Sequence, residues 1–166
     1  VLVRLGLLPC TQGRLEEEVT LTHNLSNHYE CRWVTMHSQQ SRCVFLPAGL
    51  TLRWPAAHGE GRLIARDQEL AHYLLNEGFV ALRYVDAHGQ PTEQYPANPN
   101  GAPFGIAGLT DRSGRVLGMM PHPDRAYLPT HMPDWRQVKL ERGELPEDGD
   151  GMVVFREMVR VAKAEG

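Results

Sequence analysis

Between Ile106 and Pro121 the chain reads IAGLT, then DRSG, then RVLGMMP: two apolar runs of strand length on either side of a short turn. That pattern predicts a β-hairpin and with it a sheet. The second arm is short, continuous and apolar, as expected of a strand buried on both faces. His122 would then lie just past the carboxyl end of a buried strand, the edge at which open α/β sheets bind ligands.

The rest of the chain supplies partners for that hairpin. Tyr29 to Met36, YECRWVTM, alternates loosely and is rich in aromatic and β-branched residues, which predicts a strand. Leu50 to Ala57 predicts another, running straight into HGEG. FVALRYV and PTEQY flank the turn DAHG and predict a further hairpin. Asp67 can cap a helix with Glu69 in its first turn, a buried stripe of Leu70, Tyr73 and Leu74, and Gly78 as its stop. Val1, Leu2, Leu5 and Leu8 have helical spacing, closed by Gly6 and Pro9. A last helix starting near Asp150 would place Met152, Phe155, Val159 and Ala162 on one face. Tyr127 to Gly149, polar and Pro-containing, reads as a long surface loop. Helices alternating with strands make the class α/β with some antiparallel ribbon, and 166 residues suit one domain, residues 1–166.

Charge and cysteine content narrow the function. The 17 basic and 20 acidic residues are scattered, so nucleic acid is not a favoured partner. No apolar run approaches the roughly 18 residues that span a bilayer, and the first residues have the wrong flanks for a secretory signal. The chain therefore reads as cytoplasmic, with no membrane partner. Cys10, Cys31 and Cys43 are an odd number with no CxxC, which predicts reduced thiols. Eight histidines include no HExxH or paired spacing, so no metal site is expected.

Three motifs carry possible chemistry. In MMPHPDRA, Pro123 fixes its own φ and disfavours the helical conformation at His122. An extended segment would put His122 and Asp124 on one side, where the carboxylate can accept the imidazole N–H and fix its tautomer. Alone, His-Pro-Asp is more often a polar turn after a strand than a catalytic pair. HGEG, with His58, Gly59 and Glu60, carries two glycines that permit a tight turn or a close approach. NPNG, with Asn98, Asn100 and Gly101, is turn chemistry first and a backbone cradle for a ligand second.

Taken together, LTHNLSNHYECRWV, HGEGRL, GFVALRYVD, TEQYPANPNGAPFGIAGLT and GRVLGMMPHPDRA occur in an order that resembles the glutamine amidotransferase domain of phosphoribosylformylglycinamidine synthases. This is a branch of the class I (triad) amidotransferases, and the resemblance runs from Val1 to about Ala126. It implies a flavodoxin-like open sheet with an antiparallel ribbon, of which this chain is the C-terminal portion. It also implies a cysteine nucleophile on a strand-to-helix elbow, a histidine, and an acid two residues after it. His122 matches the histidine. Asp124 stands where the family usually has glutamate, which holds the carboxylate about one bond further back. The family's elbow is followed by a helix like VLVRLGLLP, so the nucleophile is expected a few residues before Val1. None of Cys10, Cys31 or Cys43 has the glycine-flanked turn that exposes a nucleophile.

The implied activity is release of ammonia from glutamine for ATP-dependent amidination of formylglycinamide ribonucleotide, in purine biosynthesis. A synthetase domain or subunit would be the partner, holding ATP and Mg, while this chain holds no cofactor. His58, Gly59, Glu60, Asn98, Asn100 and Gly101 would shape the glutamine pocket or the synthetase contact. The alternative is a non-catalytic fragment or degenerate partner subunit that acts by binding.

Overall fold

The computed structural model describes residues 1–165, and its sheet follows the alternation of the sequence. Strands β2 (Glu30–Ser38) and β3 (Thr51–His58) pair antiparallel, from Glu30 opposite His58 to His37 opposite Thr51. On β3 every second residue, Leu52, Trp54, Ala56 and His58, is buried, the two-residue period of a strand with one face on a core. Strand β5 (Val80–Tyr84) lies between β2 and β6 (Ile106–Thr110), and β7 (Leu117–Met119) completes the order β3-β2-β5-β6-β7. A separate antiparallel ribbon joins β1 (Val19–Thr22) to β4 (Arg62–Ala65).

The two edges of the five-stranded sheet meet. Pro121, just past β7, bridges Ala56 within β3, so the sheet curls around Val34, Met36, Trp54, Leu82 and Tyr84. A second core of Val19, Leu63, Leu70, Leu74, Phe79, Ile106 and Leu109 ties the ribbon and helix α1 (Gln68–Asn76) to β5 and β6. Helix α1 begins as its sequence predicts: Asp67 accepts the Leu70 N–H at 2.7 Å, and Gly78 follows the helix with φ 75°. Its buried residues are Leu70, Ala71 and Leu74, whereas Tyr73 is 39% exposed and stacked on Phe79.

Several expectations change. The first residues form single turns rather than a helix, with Leu5 N–H on Val1 O at 3.0 Å and Leu7 N–H on Leu2 O at 2.9 Å. Gly6, at φ 66°, ends the turn before helix formation can propagate. The DAHG reversal forms, but its second arm contributes only one bridge, Val85 with Pro91. Both edges of β5 are already taken by β2 and β6, and Pro91 has no N–H to extend a ladder. Strand β7 is an edge strand, half-buried rather than covered on both faces, because only β6 pairs with it.

The stretch from Tyr127 to Gly149 is not all loop: it contains α2 (Trp135–Arg142), ended by Gly143 at φ 82°. That helix buries no residue, so its sequence has no apolar stripe to read. Helix α3 (Met152–Glu165) forms, but through a different face: Val154 and Val161 are buried, while Phe155, Met158 and Val159 are exposed. Apolar residues nearly encircle α3, so periodicity alone does not choose the docking face.

Candidate active site

His122 sits where the curled sheet closes. Its backbone N–H donates to Pro55 O on β3 at 2.8 Å, one position beyond the bridge between Pro121 and Ala56. The backbone at His122 is extended, φ −104° and ψ 99°, the conformation that a following proline favours. The chain then makes a single 3₁₀ turn over Pro123–Arg125, closed by Arg125 N–H on His122 O at 3.2 Å and Ala126 N–H on Pro123 O at 3.0 Å. Asp124 therefore lies in a turn, not in the extended segment expected for it. Its Oδ1 is nevertheless 3.6 Å from His122 Nδ1, with the imidazole one-third exposed and the carboxylate 64% exposed. That separation is within ion-pair range and beyond a direct hydrogen bond. A water can bridge it.

The two glycine-containing motifs come together around a residue that the sequence did not single out, Asn24. Its Nδ2 donates to His28 O and His58 O, both at 2.8 Å, so Oδ1 is the accepting end. That oxygen takes the Gly61 N–H at 3.1 Å and faces His58 Nδ1 at 3.0 Å. His58 thus carries its proton on Nδ1. Its Nε2 is a buried acceptor with no partner among the described residues. Burial holds the His58 imidazole below its usual pKa; the nearby His122 adds to the effect and Glu30 opposes it. Gly61 lies flat against that ring, since a Cβ there would come within 2.4 Å of Nδ1. Gly59 is half-buried, and Glu60 points outward beside His23 at 3.6 Å.

The NPNG loop joins the same cluster through Leu25, whose N–H donates to Asn100 O at 3.0 Å. Asn98 and Asn100 are buried and face inward: Asn98 Nδ2 donates to Ala102 O at 2.9 Å, and Asn100 Nδ2 donates to Tyr84 Oη at 3.2 Å. Asn98 Oδ1 accepts the Gly101 N–H and Asn100 Oδ1 accepts the Ala102 N–H, each at 2.9 Å. Gly101 adopts φ 75°, and a Cβ on it would meet Leu25 Cβ at 2.7 Å. Glu30 and Arg32, also unremarked in the sequence, form a largely buried ion pair at 2.8 Å, with Arg32 stacked on the Tyr95 ring. Their i, i+2 spacing within YECRWV was the available signal.

The three thiols are free. Cys31 is exposed near the start of β2, and burial pushes the Cys43 thiol up. Cys10 has φ 52°, but a polar turn follows it rather than a helix, and its thiol donates to Arg14 O at 3.4 Å. Among the described residues no group of three His, Cys, Asp or Glu side chains is placed to hold a metal, and no helix is long and apolar enough to cross a membrane.

The family profile of CobB/CobQ-like glutamine amidotransferase domains matches residues 1–161. The chain belongs to this family. Among its relatives, phosphoribosylformylglycinamidine synthase of Drosophila melanogaster is 43% identical over 136 residues, covering 79% of this chain and 10% of that protein. The PurQ subunit of phosphoribosylformylglycinamidine synthase from Dehalococcoides mccartyi is 36% identical over 165 residues, covering 98% of this chain and 60% of the relative. The PurQ subunit from Methanococcus maripaludis strain C7 is 36% identical over 150 residues, covering 87% and 55%. The structure of PurLQS from Thermotoga maritima superimposes with a TM-score of 0.59 at 27% identity, covering 86% of this chain and 52% of that one.

The chain thus spans between half and two-thirds of the PurQ subunits it matches. Within the family match, the chain presents the partly exposed His122 imidazole with the Asp124 carboxylate beside it, on a backbone bonded to β3 where the sheet closes. That arrangement can accept a proton and return it. The loop cluster around Asn24 has its amides engaged internally, and its exposed side chains include His23, Leu25, His28, Tyr29, Glu60 and Tyr95.

Proposed function

We propose that this chain is the histidine-bearing part of the glutaminase of a phosphoribosylformylglycinamidine synthase. The observation that carries the reading is the partly exposed His122 with Asp124 at 3.6 Å, in a chain that the amidotransferase profile matches almost end to end. A cysteine thiolate attacks the side-chain amide carbon of glutamine, and the nucleophile is expected in the part of the relatives that this chain does not span. His122 passes a proton to the departing nitrogen, so that the tetrahedral adduct collapses to a thioester and ammonia. It then takes a proton from the water that hydrolyses the thioester to glutamate. Asp124 balances the imidazolium formed in each half of the cycle.

Ammonia passes to a cytoplasmic synthetase partner that uses ATP and Mg²⁺ to convert formylglycinamide ribonucleotide to its amidine. The likeness to PurQ subunits and to the PurLQS structure supports a synthetase domain or subunit as that partner. The test is ammonia release from glutamine by the full-length protein, alone and with its synthetase. Turnover that rises in the complex supports the reading. A full-length protein that binds the synthetase and never turns over glutamine would instead be a binding subunit.

A further inference from the structure

The segment Gly149-Asp150-Gly151 has no place in the proposed proton relay, yet it touches the His122 turn from behind. Gly149 N–H donates to Tyr127 O at 2.9 Å, and Gly151 N–H donates to Ala126 O at 2.8 Å. These contacts are backbone on backbone: a Cβ on Gly151 would lie 2.0 Å from Pro123 O, and one on Gly149 would lie 2.3 Å from Ala126 O. Neither position has room for a side chain. Between the two glycines, Asp150 turns the other way and accepts the Arg53 N–H of β3 through Oδ2 at 3.0 Å. Two residues further along β3, Pro55 O holds the His122 N–H at 2.8 Å.

These bonds close a circuit: His122 to Pro55, along β3 to Arg53, across to Asp150, through Gly151 to Ala126, and back through the 3₁₀ turn to His122. The Arg53 guanidinium adds a second tether, to Asp134 at 2.7 Å, which fastens the α2 segment to the same strand. The geometry points to Asp150 as a positioning residue for His122, with Gly149 and Gly151 providing the contact surface. It acts through the backbone of β3 and of the turn, not by touching glutamine. The inference rests on the glutaminase reading for its kinetic consequence and on the structure alone for its mechanical one.

The two consequences are measured separately, on the full-length protein. Asp150→Ala removes the acceptor for Arg53 N–H and frees one side of the circuit. Amide hydrogen exchange at His122, followed by NMR, should quicken by about 10-fold or more while exchange at the core residue Leu82 holds. This readout needs no activity, so it stands if glutamine is not the substrate. In the complex with the synthetase, Asp150→Ala should lower the glutaminase kcat by about 10- to 100-fold with the KM for glutamine little changed, because a displaced base is mispositioned rather than missing. Asp150→Asn keeps an oxygen that can accept from Arg53 and should recover most of that kcat.

Unchanged exchange at His122 in Asp150→Ala would overturn the inference. So would an equal loss of ammonia-dependent synthesis, or an Asn variant as impaired as the Ala variant. Gly151→Ala should show the exchange effect more strongly if it folds; the Asp150 pair decides the matter if it does not.

Discussion

The His122 turn and the Asn24 loop cluster hold similar residue types, histidines beside small polar groups and glycines, and use them in opposite ways. In the cluster, Asn24, Asn98 and Asn100 are buried, and their amides are engaged by backbone groups or by other buried side chains. In the turn the backbone is fastened to β3 and to the start of α3, while the His122 and Asp124 side chains stay partly or mostly exposed. A side chain whose donors and acceptors are already matched inside the protein shapes a loop. One left free on a fastened backbone is available to substrate. The distinction separates two motifs that look alike in sequence.

Stability should separate the two regions most sharply. Asn100→Ala leaves the buried Ala102 N–H and the Tyr84 hydroxyl without their partner, which should cost about 2–4 kcal/mol in urea unfolding. A loss below about 0.5 kcal/mol would mean that the loop is not held by its amides. Gly101→Ala should cost less, about 1–3 kcal/mol, because alanine resists a φ of 75° and its Cβ must displace Leu25.

On the other side of the comparison, Asp124→Asn should leave stability unchanged, since the carboxylate is mostly exposed. It should lower glutaminase turnover by about 10-fold, less than a buried triad acid would, because the charge stands 3.6 Å from the imidazole. Asp124→Glu, which can close that gap, should turn over at least as fast as the parent. Equal rates for Asp and Asn would remove the acid from the chemistry.

The smallest effect is a dependence on pH. Burial lowers the pKa of His58 in the folded state, so the unfolded chain takes up this proton first as pH falls below its ordinary value of about 6.5. The stability that His58 contributes is fully present above that value and is lost as pH falls through the folded one. Groups facing it are Asn24, Glu30 and His122. His58→Gln should flatten this part of the profile in urea midpoints between pH 7.5 and 5. An unchanged slope would show that the ring is not held neutral.

Local signals were legible where one element's own residues decide its structure. The alternation in YECRWVTM and in Leu50 to Ala57 gave β2 and β3, and the Asp67 cap gave α1. The extended backbone at His122 was legible as well, because the proline that follows it disfavours the helical conformation there. What was not legible depends on contacts between distant residues. The bridge of Pro121 to Ala56 and the bond of Asp150 to Arg53, 97 positions apart, leave no periodic trace. The face by which α3 docks is set by Val154 and Val161 rather than by the stripe of Phe155 and Val159. Asn24 was hidden in a loop rich in Asn, Ser and His, where turn chemistry and a buried hub look the same.

On the proposed function, His122 serves chemistry while Asn100 serves the fold. The most direct test is the ratio of glutamine-dependent to ammonia-dependent synthesis in the complete enzyme, for His122→Ala and Asn100→Ala at a temperature where both remain folded. The ratio should collapse by about 100-fold or more for His122→Ala, because its proton carrier is gone, and stay near the parent value for Asn100→Ala. Ratios that fall together, or a His122→Ala protein that keeps its ratio, would contradict this division of roles.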